Sequence, residues 1–283
     1  ARKLIADENL DVATTAHFVI RTDDPRIDVK AAAELMEGFR DFFVGFWSGR
    51  AELAAYDGPG QVFLFYSRYK YKQLFDQKPA WNEEVSPGHY RPVFDAIVAH
   101  TDTLVPEDLP DMLVHEATHQ LVERMLYPED FGPSGWVTEG LGQYFEHTLR
   151  DDSGAFQAGR TGGKNLRLFE GAPGGRSREA ARKLSEHRAR LKKDEALSLA
   201  STLEAGPASF YGPDERERYT VSWLLVHYLI HADAGAHLPG FVAFIKQDGR
   251  GEADAAALAG HVGMTPEQLE AAFKSYVLDL KLR

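Results

Sequence analysis

His115 and His119 stand four residues apart in LVHEATHQLVE (113–123), with Glu116 directly after the first of them. On an α-helix, residues four apart share a face, so both imidazoles can turn toward one point. Each helical step rotates by about 100°, which sets Glu116 beside that point rather than on it. Imidazole nitrogen is a good zinc donor, and a carboxylate next to the metal is placed to move protons instead of ligating. A buried helix face with two histidines and a carboxylate is costly unless something pairs them. A catalytic zinc takes three protein ligands and keeps one open position, so the pair is one donor short.

The chain offers that donor on the next helical segment. Glu139 lies in WVTEGLGQYFE (136–146), twenty residues beyond His119. Between the two segments, YPEDFGPSG (127–135) cannot continue a helix and lets the chain reverse. Gly140 and Gly142 leave room for the two backbones to approach.

Elements that must position these residues follow from hydrophobic periodicity. HFVIRT (17–22) and QVFLFYS (61–67) read as strands, separated by a helix over 28–49 with Leu35, Met36, Phe39, Phe42, Phe43 and Phe46 on one stripe and by the turn YDGPG (56–60). RPVFDAIVAHT (91–101) reads as a further strand, with Pro92 placing its start at an edge or loop. Helices dominate from Pro106: about 109–126, from about 137, 218–233, GFVAFIKQ (240–247) and 265–280, the last capped by Thr265. The glycine-rich 151–165 reads as a loop, and the basic run 176–193 as a helix with a solvated face. The expectation is an α+β protein with a small sheet lobe over 1–105 and a mainly helical lobe over 106–283, forming one catalytic unit.

Composition narrows the function classes. A net charge of -11 argues against a nucleic-acid binder, and no apolar run approaches the length of a membrane span. With no cysteine, thiolate metal sites and a cysteine nucleophile are excluded. There is no glycine-rich phosphate loop and no Gly-x-Ser-x-Gly elbow. The sequence starts at Ala1 without an initiator Met, which fits either a trimmed chain or a processed one; the absence of cysteine suits the cytoplasm and export alike, and export, periplasmic or secreted, is the expectation.

Taken together, VHEATHQ and WVTEGLGQYFE resemble the gluzincin zinc metallopeptidases of the peptidase MA-like superfamily, in particular uncharacterised bacterial members that pair HE-x-x-HQ with W-x-x-EG-x-x-x-Y-x-E. The resemblance implies a zincin-like fold with Zn2+ in the cleft between a sheet lobe and a helical lobe. It implies His115, His119 and Glu139 as zinc ligands, Glu116 as general base, and a peptide or protein as substrate. In such enzymes a tyrosine or histidine beyond the third ligand donates to the oxyanion, and Tyr219 is the candidate. Ligating imidazoles need partners that orient them; Glu123, Gln143 and Glu146 are within reach by spacing, and Glu146 matches the last position of the family pattern. The Gly-x-Met-Glu-Asn sequence with which well-known aminopeptidases grip an amino terminus is absent, and RPVFDAIVAH is the expected substrate-pairing edge strand. Two other readings stay open: a zincin-like zinc-binding module without turnover, and a zinc hydrolase of non-peptide amides or esters. His227 and His231 are also four apart, but no glutamate follows the first, and their apolar neighbours mark a packed helix.

Overall fold

The chain enters its sheet through β1 (Asp11–Thr14), which pairs antiparallel with β2 (Phe18–Thr22). The computed structural model describes residues 10–74, 87–104, 108–127, 133–150, 155–161, 179–250 and 254–282. After β2 the Asp28 side chain accepts the backbone N–H groups of Lys30 and Ala31 and so starts α1 (Val29–Trp47). Of the predicted stripe, Leu35, Met36, Phe39, Phe43 and Phe46 are buried and Phe42 is half-buried. β3 (Gly60–Phe65) then lies parallel to β2, and a short helix α2 (Arg68–Leu74) follows.

The reading of 91–101 as a single edge strand is corrected here. β4 (Gly88–Arg91) is followed by a 3-10 turn over Pro92–Phe94, and β5 (Ala96–His100) runs back antiparallel to β4. Proline has no N–H for a ladder and a fixed φ, so it suits the turn. Asp95 completes the reversal in the left-handed region, at φ 48. The sheet order is β1-β2-β3-β5-β4, with β5 interior and parallel to β3. The edge near the helices is therefore GHYR, not the apolar run after it. One face of the sheet (Ile20, Val62, Leu64, Ile97, Ala99) joins the main core, while Phe63, Phe65 and Val98 pack with Tyr71 of α2 on the other.

Helices make up most of the rest, so the molecule is α+β, with a five-stranded sheet first and a mostly helical part after it. α3 (Leu109–Leu121) carries Pro110 in its first turn, where the missing N–H costs nothing, and runs on into a π-helical turn over Val122–Leu126. α4 (Gly135–Glu146) packs against it. The glycine-rich stretch is also corrected: β6 (Thr148–Arg150) and β7 (Phe156–Thr161) form a hairpin, and Phe156 stacks on Phe42 of α1 with centroids 5.3 Å apart. Residues 151–154 and 162–165 of that stretch lie outside the described residues.

Beyond these come α5 (Glu179–Lys192), α6 (Leu199–Leu203), α7 (Pro207–Phe210), α8 (Glu215–His231), α9 (Leu238–Asp248), α10 (Ala255–His261) and α11 (Pro266–Asp279). Thr265 caps α11 in a capping box with Gln268. α8 is the central strut, burying Val221, Trp223, Leu224, Leu225, Val226 and Leu229 behind α4. Gly140 makes that approach possible, since a Cβ there would lie 2.8 Å from the Ser222 carbonyl oxygen. One continuous hydrophobic cluster runs from Phe18 in the sheet to Val277 in α11. Among the described residues no helix is long and apolar enough to cross a membrane.

Candidate metal centre

α3 presents His115 and His119 one turn apart, with ring centroids 4.7 Å apart and planes nearly perpendicular. The His115 ring lies over Gly142 of α4, where a Cβ would come within 2.9 Å of Cε1. Of the two expected glycine contacts, Gly142 thus serves the α3–α4 approach, whereas Gly140 serves α8. Both outer nitrogens are taken: His115 Nδ1 meets Glu146 Oε2 at 2.9 Å, and His119 Nδ1 meets Thr138 Oγ1 at 2.8 Å. Because an ionised carboxylate only accepts, His115 carries a proton on Nδ1, and Nε2 is the nitrogen left for a cation. Burial opposes the charged ring, but Glu139, Glu146 and Glu116 outweigh it and raise His115 well above its ordinary value.

The two Nε2 atoms face the same oxygen, Glu139 Oε2, at 3.3 and 3.6 Å. Glu139 is buried, and this oxygen has no hydrogen-bond partner among the described residues. An unpartnered buried carboxylate oxygen is expensive and needs a reason. Donors held at about 2.0–2.1 Å around a tetrahedral zinc are about 3.4 Å from one another, close to the observed separations. Two imidazoles and one carboxylate are also a donor set of catalytic zinc sites. Three carboxylates, Glu116, Glu139 and Glu146, gather around these two rings, an excess of negative charge that a divalent cation would offset. The residues fit the ion.

Glu116 competes with Glu139 for the role of third donor, because it too brings an oxygen within 4.8 Å of both histidine donor atoms. Its commitments separate the two. Glu116 Oε2 accepts the Tyr90 backbone N–H at 2.6 Å. His100 N–H donates to Pro87 O at 2.8 Å, so alternation along the β4–β5 ladder turns the Tyr90 N–H outward, toward α3. Glu116 is thereby tied to the sheet edge through one oxygen, as Glu139 is tied to a tyrosine through one of its own, but the remaining Glu139 oxygen is buried, unpartnered and faces both Nε2 atoms. Burial pushes the Glu116 carboxyl up to about 7, the charge of His115 opposing. Burial would raise Glu139 as well, but His119, His115 and a tyrosine hydroxyl outweigh it and hold the group at about 2.

That tyrosine is Tyr211, whose hydroxyl donates to Glu139 Oε1 at 3.0 Å. Nothing in the sequence marked it, since it follows the four-residue α7 and shares no spacing with the motifs. Tyr219, at the start of α8, stands beside it with ring centroids 6.4 Å apart. Burial, reinforced by the Glu139 carboxylate, pushes the Tyr219 hydroxyl well above the usual tyrosine range. Of the three residues proposed to orient the imidazoles, Glu146 takes the place on His115. Gln143 supports it, donating to Glu146 Oε2 at 2.6 Å. Glu123 lies on the π-helical turn and partners neither Nδ1. Thr138, the partner of His119, directly precedes Glu139 on α4, and no spacing in the sequence marks it.

Two further histidine sites fall into place. His89, on β4, is half-buried and lowered to about 4 by burial, with Glu139 and His115 among the charges acting on it. His227 and His231 are packed in α8 against phenols, as expected. The basic helix has the expected solvated face, with Arg182 exposed on it, but two of its cations turn inward: Lys183 donates to Gln143 Oε1, and Arg188 donates to the Val277 carbonyl at 2.8 Å and to that of Leu280.

A family model described as "Protein of unknown function (DUF1570)" matches residues 111–249, a span that opens just before His115 and takes in α4, Tyr211 and Tyr219. No curated protein matches the chain.

Proposed function

We propose that this chain is a zinc-dependent peptidase of the gluzincin kind that its two motifs resemble. The observation that supports this best is the convergence of His115 Nε2 and His119 Nε2 on the unpartnered Glu139 Oε2, with Glu116 alongside. His115, His119 and Glu139 would hold the ion. Zinc, when bound, supplies a Lewis acid for the scissile carbonyl and acidifies water to a pKa of roughly 7. Glu116 takes a proton from the attacking water and delivers it to the leaving nitrogen. The Tyr90 N–H fixes Glu116 Oε2, so the carboxylate keeps one orientation for that transfer. Tyr211 and Tyr219 both hydrogen-bond to Glu139, and Tyr219, which opens the helix beyond the proposed third ligand, is the proposed donor to the oxyanion. An extended peptide would pair with the outer edge of β4, which passes directly beside Glu116.

Protein purified without added metal should carry about one zinc per chain, and Glu139→Ala should lose it. Full zinc retention in Glu139→Ala would sink the ligand set. A zinc-loaded chain that cleaves amides or esters but no member of a peptide library belongs to another class of zinc hydrolase. Zinc without turnover of either leaves a binding module.

A further inference from the structure

The basic helix α5 reaches the metal centre through a line of three buried or half-buried polar side chains. Lys183, whose side chain is only 15% exposed, donates to Gln143 Oε1. Gln143 Nε2 donates to Glu146 Oε2 at 2.6 Å, and the same oxygen accepts His115 Nδ1–H at 2.9 Å. Each link constrains the next. Glutamine has one accepting end and one donating end, and only the donating end can face a carboxylate. With Lys183 occupying the carbonyl oxygen, the amide cannot turn over without opposing Lys183 with N–H groups and Glu146 with an oxygen. Glu146 then keeps its oxygen on the His115 Nδ1–H, and His115 Nε2 stays turned toward Glu139.

Lys183 is itself held by its helix. Ala180, Leu184 and His187 bury one side of α5, and Arg188 ties it to the carbonyls at the end of α11. The Lys183 ammonium also lies 3.8 Å from Glu179 Oε1 one turn earlier on α5, but the hydrogen bond it donates goes to the neutral Gln143 amide, which by itself returns little against the desolvation cost. The charge of Lys183 also acts on Glu146, the carboxylate next to the ligand. A surface role would have left Lys183 in solvent like its neighbour Arg182, which pairs with Glu179 and Glu186 on the exposed face.

We propose that Lys183 is a positioning residue for the metal centre: through Gln143 and Glu146 it fixes the tautomer and setting of His115 and so raises the affinity of the site for zinc. The inference rests on the reading of His115 as a ligand. Partners of this kind typically change metal affinity 10- to 100-fold when removed.

The test is zinc binding by the metal-free full chain, with Zn2+ alone as the probe, measured by competition with a chelator of known affinity. Lys183→Met should weaken binding by roughly 10-fold, and Lys183→Arg should recover most of that loss. Gln143→Leu, which cuts the line in the middle, should weaken binding to a similar degree. The double variant should be no worse than Gln143→Leu alone, because both changes break one line. The unfolding midpoints of the metal-free single variants should stay close to the parent. Zinc binding by Lys183→Met within twofold of the parent overturns the proposal, and so do losses that simply multiply in the double variant. If Lys183→Met does not fold, the proposal stands or falls on Lys183→Arg matching the parent while Gln143→Leu binds roughly 10-fold more weakly. A parent chain that binds no zinc removes the metal centre itself, and this inference with it, which separates that failure from the failure of Lys183 alone.

Discussion

Two histidine pairs with the same spacing sit on two long helices of this protein and have opposite characters. His115 and His119 have ring centroids 4.7 Å apart, and His227 and His231 have theirs 4.6 Å apart. Spacing therefore does not tell them apart; their partners do. Around the α3 pair stand carboxylates, one with an oxygen that no protein donor satisfies. Around the α8 pair stand phenols: Tyr276 Oη meets His227 Nδ1 at 2.7 Å and Tyr144 Oη meets His231 Nε2 at 2.8 Å. Phenols complete a neutral imidazole, whereas gathered carboxylates leave a charge deficit for a cation. On the proposed reading, two histidines four apart become a metal site when the third direction is acidic and unsatisfied.

The sharpest way to break this contrast is to change one residue in each setting. Glu116→Gln keeps the shape of the α3 site and removes the proposed proton carrier. It should retain zinc and lower kcat by about 10²–10⁴-fold, the usual contribution of a general acid–base group. His231→Gln should change neither zinc content nor turnover. Peptide hydrolysis by Glu116→Gln at the parent rate would refute the proposed mechanism, and zinc lost from His231→Gln would erase the distinction between the pairs.

The α3 pair was legible in the sequence because everything that defines it is local. Leu113, Val114, Leu121 and Val122 set the helical period, the Pro/Gly-rich run after Tyr127 cannot continue a helix, and Glu139 falls on the next one. Its surroundings were not legible, because they come from distant segments. GHYR is too short and polar to announce a strand, and only pairing with β5 makes it the sheet edge that meets Glu116. β7 has a glycine and no alternation, and exists by pairing with β6 and stacking Phe156 on Phe42. Tyr211 and Lys183 reach the site from beyond α4, and a basic run such as 176–193 gives no sign of which lysine turns inward.

The two pairs should also differ in how acid affects them. Burial holds His227 neutral, at about 3, against an ordinary value of 6.5. Between those two values the unfolded chain binds a proton that the folded chain refuses. The contribution of His227 to stability is thus fully present above about 6.5 and is lost as the pH falls toward about 3. The loss is at most about 1.4 kcal/mol per pH unit for one such group. Urea unfolding of the metal-free protein between those limits should show a steeper fall for the parent than for His227→Phe. Equal slopes would mean that His227 takes up a proton in the folded state, and that the phenol cage does not keep it neutral.

The smallest expected effects come from removing one hydroxyl beside each pair. Tyr211→Phe deletes the donor to Glu139 Oε1, which lies 3.0 Å from it, and leaves the ring in place against Phe210. Glu139 then loses the contact that keeps its other oxygen turned toward the two Nε2 atoms. Zinc should bind roughly 10-fold more weakly, with little change in the stability of the metal-free chain, because a carboxylate crowded by two others gains some relief when it can rotate. Tyr144→Phe deletes the hydroxyl that meets His231 Nε2, in surroundings where nothing waits for a cation. It should cost about 1 kcal/mol of stability, as for one neutral hydrogen bond, and leave zinc affinity within twofold. Chelator competition and urea unfolding on the same two proteins read both quantities. If Tyr144→Phe weakens zinc as much as Tyr211→Phe does, the effect is passing through the packing of α4, which carries both Tyr144 and Glu139. The phenol at Glu139 would then be one more core contact and not part of what sets the carboxylate against the imidazoles.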